Sequence, residues 1–313
     1  MDALSELLAL HPVDSALDLR CEFDAPWQAD NATRPPGAAP YHVILVGEAT
    51  LEVAGHAPVL LHAGDMLMLP RGQAHRLHVG EPSAANAPVR LDGGAGDLTL
   101  VRNQGDGPRT ELLCGEFRFA PAKVGSLLRS LPDLVIVRHA DTGGWAGLQA
   151  LVGMLREESS ASRPGGASVL RHLASALFAL MLRAWSAQAA QAPGLLNLMA
   201  HPRLGEPFRQ MLAAPGKHWS IDTLAACARM SRASFIRAFR TAAGNSPAEV
   251  LLAVRMASAA RDLDGGQRAM GDVAEAAGYG SEAAFNRAFQ RYWGVTPGVY
   301  RRQRRDIAHR PVG

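Results

Sequence analysis

Cysteine is scarce in this 313-residue chain: Cys21, Cys114 and Cys227 are too few for the disulfide framework of a secreted domain. A reducing compartment is therefore expected, and any disulfide would be a switch and not a staple. Also missing is an apolar run near the ~18 residues that would cross a bilayer. The start, Met1-Asp2-Ala3-Leu4-Ser5-Glu6, is acidic where a signal peptide would be basic. Together these absences predict a cytoplasmic protein without a membrane partner. The net charge is only +3, but residues 201–313 hold 17 Lys and Arg against 9 Asp and Glu, while residues 1–200 hold 15 against 20. Only the C-terminal part is built to meet a polyanion.

That part says the same thing twice. Ser231, Ala233, Phe235, Arg237, Ala238, Phe239, Gly244 and Pro247 recur 50 residues later as Ser281, Ala283, Phe285, Arg287, Ala288, Phe289, Gly294 and Pro297. Each copy reads as helix, tight turn, helix. Ile221, Leu224, Ala225 and Ala228 mark the first apolar face, and Ser231 caps a second helix in which Phe235 and Phe239 bury one side. Arg232, Ile236, Arg237 and Arg240 then lie elsewhere on that cylinder. In the second copy Val273, Ala274 and Ala277 lead to a helix carrying Asn286, Arg287 and Arg291. Residues 248–263 read as a longer helix joining the two.

The paired Phe-x-Arg-Ala-Phe cores and Gly-x-(Ser/Thr)-Pro ends resemble the AraC/XylS family of bacterial transcription regulators over about residues 200 to 304. The resemblance implies two recognition helices in successive major-groove turns of double-stranded promoter DNA. Arg232, Ala233, Ser234, Ile236 and Arg237 would then lie along the first groove, and Glu282, Ala283, Asn286 and Arg287 along the second. Arg237 and Arg287 suit bidentate guanine contacts, and Arg240 and Arg291 suit phosphates. The bland alternative is a helical bundle whose Arg ridge is only a solvated face. Arg301, Arg302, Arg304, Arg305 and Arg310 form a basic end that either touches phosphates or is a frayed tail.

The N-terminal part follows a different period. Leu17, Leu19, Cys21 and Phe23 alternate with Asp18, Arg20, Glu22 and Asp24, placing Cys21 on the core face. Short alternating segments near 41–46, 49–53, 58–61, 66–69, 75–79, 98–102 and 111–119 suggest a small antiparallel barrel. Gly64-x5-Pro70-x-Gly72-x2-His75 matches the second cupin motif up to its final Asn, where Val79 stands. The first cupin motif keeps His42, Glu48 and Gly55 but has Ile44 in place of its second His. The iron or manganese site of a cupin oxygenase is thus incomplete, which weighs against a DNA-tethered enzyme. His42, Ile44 and Glu48 share strand parity and would face inward, with His75 entering from a neighbouring strand.

These fragments resemble the cupin-type sensing domain that precedes AraC-type modules. Met1-Asp2-Ala3-Leu4, Cys21, Trp27, His42, Ala74-His75-Arg76-Leu77, Cys114-Gly115 and His201-Pro202-Arg203-Leu204-Gly205 further resemble the branch that senses reactive chlorine. That likeness assigns sensing to the pair Cys21 and Cys114, with an activator's contact to RNA polymerase. Thiolates do react with hypochlorous acid, and a second nearby thiol resolves the product to a disulfide. His42 and His75 would supply either positive charge or two further ligands. In the latter case Cys21, His42, His75 and Cys114 make a two-Cys, two-His set suited to zinc. Alternatives remain: the barrel binds an organic or metal effector, or the cysteines are plain core. Cys227, among alanines, reads as inert.

After Phe119, residues 124–131, 143–158, 167–187 and 203–214 read as helices, the third with an apolar stripe that suits either core or a homodimer. The expected fold is α+β: a cupin-like sensory barrel at 1–120, a helical linker at 121–200, a double helix-turn-helix module at 201–304 and a basic tail at 305–313.

Overall fold

A computed structural model describes residues 2–10, 13–81, 89–91, 98–119, 128, 131–143, 145–160, 163–188, 194–266 and 268–308. Its internal contacts form two units, Val13–Phe119 with Leu131–Ala189, and Met1–Pro12 with Ala120–Ser130 and Ala190–Gly313. The strand-rich unit holds β1 (Val13–Asp24), β2 (Trp27–Asn31), β3 (Ala38–Val46), β4 (Glu48–Val53), β5 (Val59–His62) and β6 (Met66–Met68). It continues with β7 (His75–Val79), β8 (Val89–Leu91), β9 (Thr99–Arg102), β10 (Arg109–Phe119) and β11 (Val135–Val137). They make a seven-stranded sheet, β11-β6-β3-β10-β1-β9-β8, and a four-stranded sheet, β2-β7-β4-β5.

Alternation along the strands decides what lies between the sheets: Phe23, Trp27, Leu51, Leu61, Leu67, Leu69, Leu77 and Leu112 are buried there in one cluster. The long antiparallel pair β1–β10 runs from Val13↔Phe119 to Asp24↔Arg109, with a bulge between Leu17 and Leu19. That bulge interrupts the simple alternation, so Leu17 is only half-buried while Cys21 and Phe23 face the core. One pairing departs from the antiparallel expectation, because β9 runs parallel to β1.

Helices α1 (Ala3–Leu10), α2 (Ala146–Ser160) and α3 (Gly166–Gln188) complete the first two-thirds of the chain. Within the expected linker, α2 and α3 belong to the strand-rich unit. α2 and α3 pack on each other, α3 packs on β1 and β11, and Phe178 sets its ring 4.9 Å from Phe117 and 5.5 Å from Phe119. Burying such a phenylalanine contributes roughly 1.5–3 kcal/mol. Residues 166–187 have a mean hydropathy of 1.3, so one helix does have the length and composition of a membrane span, contrary to expectation. Its Leu170, Ala174, Leu177, Phe178 and Met181 are buried in the unit. Apart from the buried Leu128 and Leu131, the helix expected at 124–131 lies outside the described residues.

α1 keeps company with the C-terminal helices, so the first ten residues do not belong to the barrel. Those helices are α4 (Leu195–Ala200), α5 (Gly205–Ala213), α6 (Ile221–Cys227), α7 (Arg232–Ala243), α8 (Pro247–Asp264), α9 (Met270–Ala276), α10 (Glu282–Trp293) and α11 (Pro297–Ala308). α11 takes in Arg301, Arg302, Arg304 and Arg305 of the expected basic end. Arg301 donates to the Arg268 carbonyl at 2.8 Å, Arg304 pairs with Asp264 at 2.9 Å and Arg305 donates to the Gly266 carbonyl at 3.2 Å. These guanidiniums tie the last helix to the α8–α9 connection. Arg310 lies outside the described residues.

Candidate functional site

Four of the residues singled out above meet between the two sheets. Cys21 comes from β1, Cys114 from β10 and His42 from β3, adjacent strands of the larger sheet in which Cys114 stands opposite His42. His75 comes from β7 of the smaller one. All four are buried. The Cys21 and Cys114 sulfurs lie 4.0 Å apart. Cys114 Sγ is 3.0 Å from His42 Nδ1, and His42 Nε2 is 2.8 Å from His75 Nε2. His75 Nδ1 in turn sits 3.0 Å from the Gln73 carbonyl oxygen. Gly115 makes this closeness possible, since a Cβ there would stand 2.2 Å from the Ala16 carbonyl and 2.6 Å from the Tyr41 hydroxyl.

Burial governs the electrostatics. It holds His42 well below the usual imidazole range, aided by the charges of His75 and Arg34. Burial also lowers His75, partly offset by its bond to the Gln73 carbonyl. The hydrogen bond with Cys21, then burial, push the Cys114 thiol well above the usual range. The site rests as a neutral thiol beside two neutral imidazoles.

The expected zinc site does not fit this arrangement. Zinc needs its donors on one centre at about 2.0–2.3 Å. His42 instead points its two nitrogens in opposite directions, one at Cys114 and one at His75. Among the described residues no three His, Cys, Asp or Glu side chains are grouped to hold a metal ion. Glu48 is also misplaced by strand parity. The turn at Gly47 separates it from β3, and its carboxylate is exposed, 3.7 Å from His62 Nδ1. Outside the sheets, a cavity of about 280 Å³ is lined by Ala63, Gly64, Met66, His139, Leu148, Gln149 and Val152.

The repeated unit is equally well ordered. Ser231 Oγ accepts from the Ser234 N–H at the start of α7, and Ser281 Oγ accepts from the Ala284 N–H at the start of α10. Both helices end on a left-handed glycine, Gly244 at φ 73° and Gly294 at φ 78°. The rings of Phe235–Phe239 and Phe285–Phe289 pack tilted against each other, each pair with centroids 5.5 Å apart. Position by position, residues 231–240 and 281–290 have the same order of burial. Arg232, Ala233, Arg237, Arg240, Glu282, Ala283, Arg287 and Arg291 are exposed, and Ser234, Ile236 and Asn286 are half-buried. Arg232 is held by Asp222 at 3.0 Å, a pairing ten residues apart that helical spacing does not signal.

The leading helices match at 49 residues and not 50: Leu224, Ala225 and Ala228 are buried like Val273, Ala274 and Ala277. The second turn has one extra residue. Arg229 takes the left-handed position in the first turn at φ 53°, and Gly278 takes it in the second at φ 81°.

Two family matches coincide with these regions, Cupin over residues 2–187 and Helix-turn-helix domain over residues 224–303. The chain is 32% identical over 312 residues to the RCS-specific HTH-type transcriptional activator RclR of Escherichia coli (strain K12), covering 98% of this chain and 100% of that one. It belongs to the AraC family of transcription regulators with an N-terminal cupin domain. A second relative, the HTH-type transcriptional regulator MtrA of Neisseria gonorrhoeae, is 30% identical over 308 residues, 97% of this chain and 99% of that one. Among solved structures, the DNA-binding domain of AdpA in complex with a target DNA is 34% identical, with a TM-score of 0.33, over 36% of this chain and 100% of that one. This AraC-family chain is a DNA-binding transcription regulator, and double-stranded DNA is its partner.

Proposed function

We propose that this regulator senses hypochlorous acid and related oxidants through Cys21 and Cys114, and that oxidation activates transcription of oxidant-defence genes. One observation carries the reading: two buried thiols 4.0 Å apart on neighbouring strands, one of them 3.0 Å from an imidazole. An inert pair of core cysteines has no need of that base. The printed name of RclR, an RCS-specific activator, points the same way.

A disulfide sets its sulfurs at about 2.05 Å, so closing the gap draws β1 and β10 together near the bulge. β1 is held from outside by α3, and its Arg20 donates to the Ser160 hydroxyl of α2 and pairs with Glu111 at 3.4 Å. Movement of β1 therefore reaches both helices.

In this reading the protein acts in the cytoplasm without enzymatic turnover, and its activator role calls for contact with RNA polymerase. Homodimers are expected, since Trp145, Met154 and Val169 leave apolar area in water. The runner-up reading puts an organic effector in the cavity beside His139.

Full-length protein treated with sub-stoichiometric hypochlorous acid and digested without reduction should yield a Cys21–Cys114 linked peptide, with Cys227 still alkylatable. If both thiols stay reduced while methionines oxidise, the sensor reading is wrong.

A further inference from the structure

We infer that Arg255 is a positioning residue for DNA recognition: it pins the loop in front of the first helix-turn-helix copy to the turn of the second, and so fixes the spacing at which α7 and α10 meet the duplex. The inference rests on the expectation from the sequence that both of those helices read bases.

The repeat reaches further than its phenylalanine cores. Arg255 on α8 and Arg305 on α11 stand 50 residues apart, like Pro247 and Pro297 at the starts of the same helices. Arg255 Nη2 donates to the Lys217 carbonyl at 3.1 Å, and Arg305 Nη2 donates to the Gly266 carbonyl at 3.2 Å. Lys217 and Gly266 are in turn 49 residues apart, the offset of the leading helices. In each copy, then, an arginine on the trailing helix closes back on the loop that precedes the leading one.

The two arginines differ in what else they meet. Arg255 Nε donates to the Pro215 carbonyl at 2.9 Å, so one edge of its guanidinium spans two backbone oxygens. The same group lies against Gly278, the left-handed residue of the second turn, where a Cβ would stand 2.9 Å from Nη2. Gly216 comes so close to the second copy that a Cβ on it would collide with the Ala276 carbonyl, and a Cβ on Gly278 would stand 2.7 Å from the Gly216 carbonyl. Two backbones cross at that distance only where both lack side chains. From the crossing, Tyr279 carries the constraint onward, with its ring 5.8 Å from that of Phe285 in α10. The loop is braced at its own end as well. Trp219 Nε1 donates to the Ala214 carbonyl at 2.9 Å, and Lys217 Nζ sits 4.4 Å from the centre of the Trp219 ring.

α8 is the covalent link between the copies. It packs on α5 and α7, and from Met256 onward its buried side chains join the core of the second copy. A lone helix shared by two bodies lets them swing about its middle, where Arg255 stands; a second attachment beside it removes that freedom. Arg305 closes the second copy on itself. Readers held at one spacing give up less freedom on binding and reject a duplex whose sites are wrongly spaced.

Full-length wild-type protein first selects its duplex from a randomised pool, and hydroxyl-radical footprinting locates the two protected tracts. One base pair inserted between them turns the second tract by about 34° and moves it about 3.4 Å. Fluorescence anisotropy then compares the parent and inserted duplexes. Wild-type protein should lose at least about fivefold in affinity on the inserted one, the low end for one bidentate contact. Arg255→Lys keeps the charge but cannot span both carbonyls, so it should lose less than about twofold, because its second copy follows the displaced tract. Gly216→Ala parts the crossing from the other side and should behave likewise, which decides the matter if Arg255→Lys melts too low to assay. Arg305→Lys should keep the wild-type penalty. A full penalty in Arg255→Lys, the result for an arginine that only touches a phosphate, overturns the inference; so does an equal relaxation in Arg305→Lys. A wild-type protein indifferent to the insertion, with Arg287→Ala binding just as tightly, overturns the two-reader reading and the inference with it.

Discussion

Replacing Arg237 and Arg287 by alanine, singly and together, measures whether the two copies read DNA independently. The two arginines occupy the same place in the repeat, both are exposed, and neither makes an ion pair among the described residues. Arg237 Nη2 lies 3.5 Å from Ser234 Oγ, which steadies it over the helix. A bidentate contact to guanine is worth about 1–3 kcal/mol, or roughly 5- to 150-fold in affinity. Each recognition helix rests on its own phenylalanine pair, so the two losses should add to about 2–6 kcal/mol in the double variant. Arg232→Ala should cost less, because its exposed pair with Asp222 must first be broken and is itself worth about 0–1 kcal/mol. Arg240→Ala and Arg291→Ala should each flatten the salt dependence by about one in the log–log slope, whatever the sequence. Fluorescence anisotropy on promoter and scrambled duplexes across a salt series separates these terms. A loss at Arg237 equal on both duplexes, or a double variant no weaker than the worse single, would show that base reading had been wrongly assigned.

Gly115→Ala should destabilise the barrel by about 1–3 kcal/mol in chemical denaturation, because the added methyl meets the Ala16 carbonyl and the Tyr41 hydroxyl; a neutral result would mean that β1 and β10 part more easily than described. In the turns the effects should have opposite signs. Arg229→Gly should raise stability by up to about 1 kcal/mol, and Gly278→Ala should lower it by more, since its Cβ would stand 2.7 Å from the Gly216 carbonyl. Stability should also depend on His42 and His75, whose folded values lie below their ordinary 6.5. The unfolded chain takes up protons that the folded one refuses, so stability is full above about 6.5 and falls as pH drops through 6.5 toward the folded values. Melting temperatures that stay flat across that window would contradict neutral burial of the pair.

Much of this was legible in the chain itself. Caps, turns and phenylalanine spacing in the repeat are local signals, and local signals survive folding, so both recognition helices lie where the pattern put them. Strand parity turned Cys21 and His42 inward, His75 was expected from a neighbouring strand and Cys114 from the family likeness, and the four do meet. Parity failed for Glu48, where a turn restarts the count. β2 and β11 escaped notice because each is short and its partners, β7 and β6, are distant in sequence. The chemistry of the thiol site was harder still. A set of four side chains suggested a cage, and only the carbonyl of Gln73, a group every residue carries, reveals that they stand in file.

The two expected recognition helices share a scaffold but not a vocabulary: where one has Arg232, Ile236 and Arg237 the other has Glu282, Asn286 and Arg287, behind turns one residue different in length. If the exposed residues of both helices read bases, as the sequence implies, an operator that merely repeats itself would not serve them. The two half-sites would then be spelled differently, and a single protomer would have a head and a tail along the duplex. Reversing the operator in front of a gene would leave the protein just as firmly bound, yet facing away from the start of transcription.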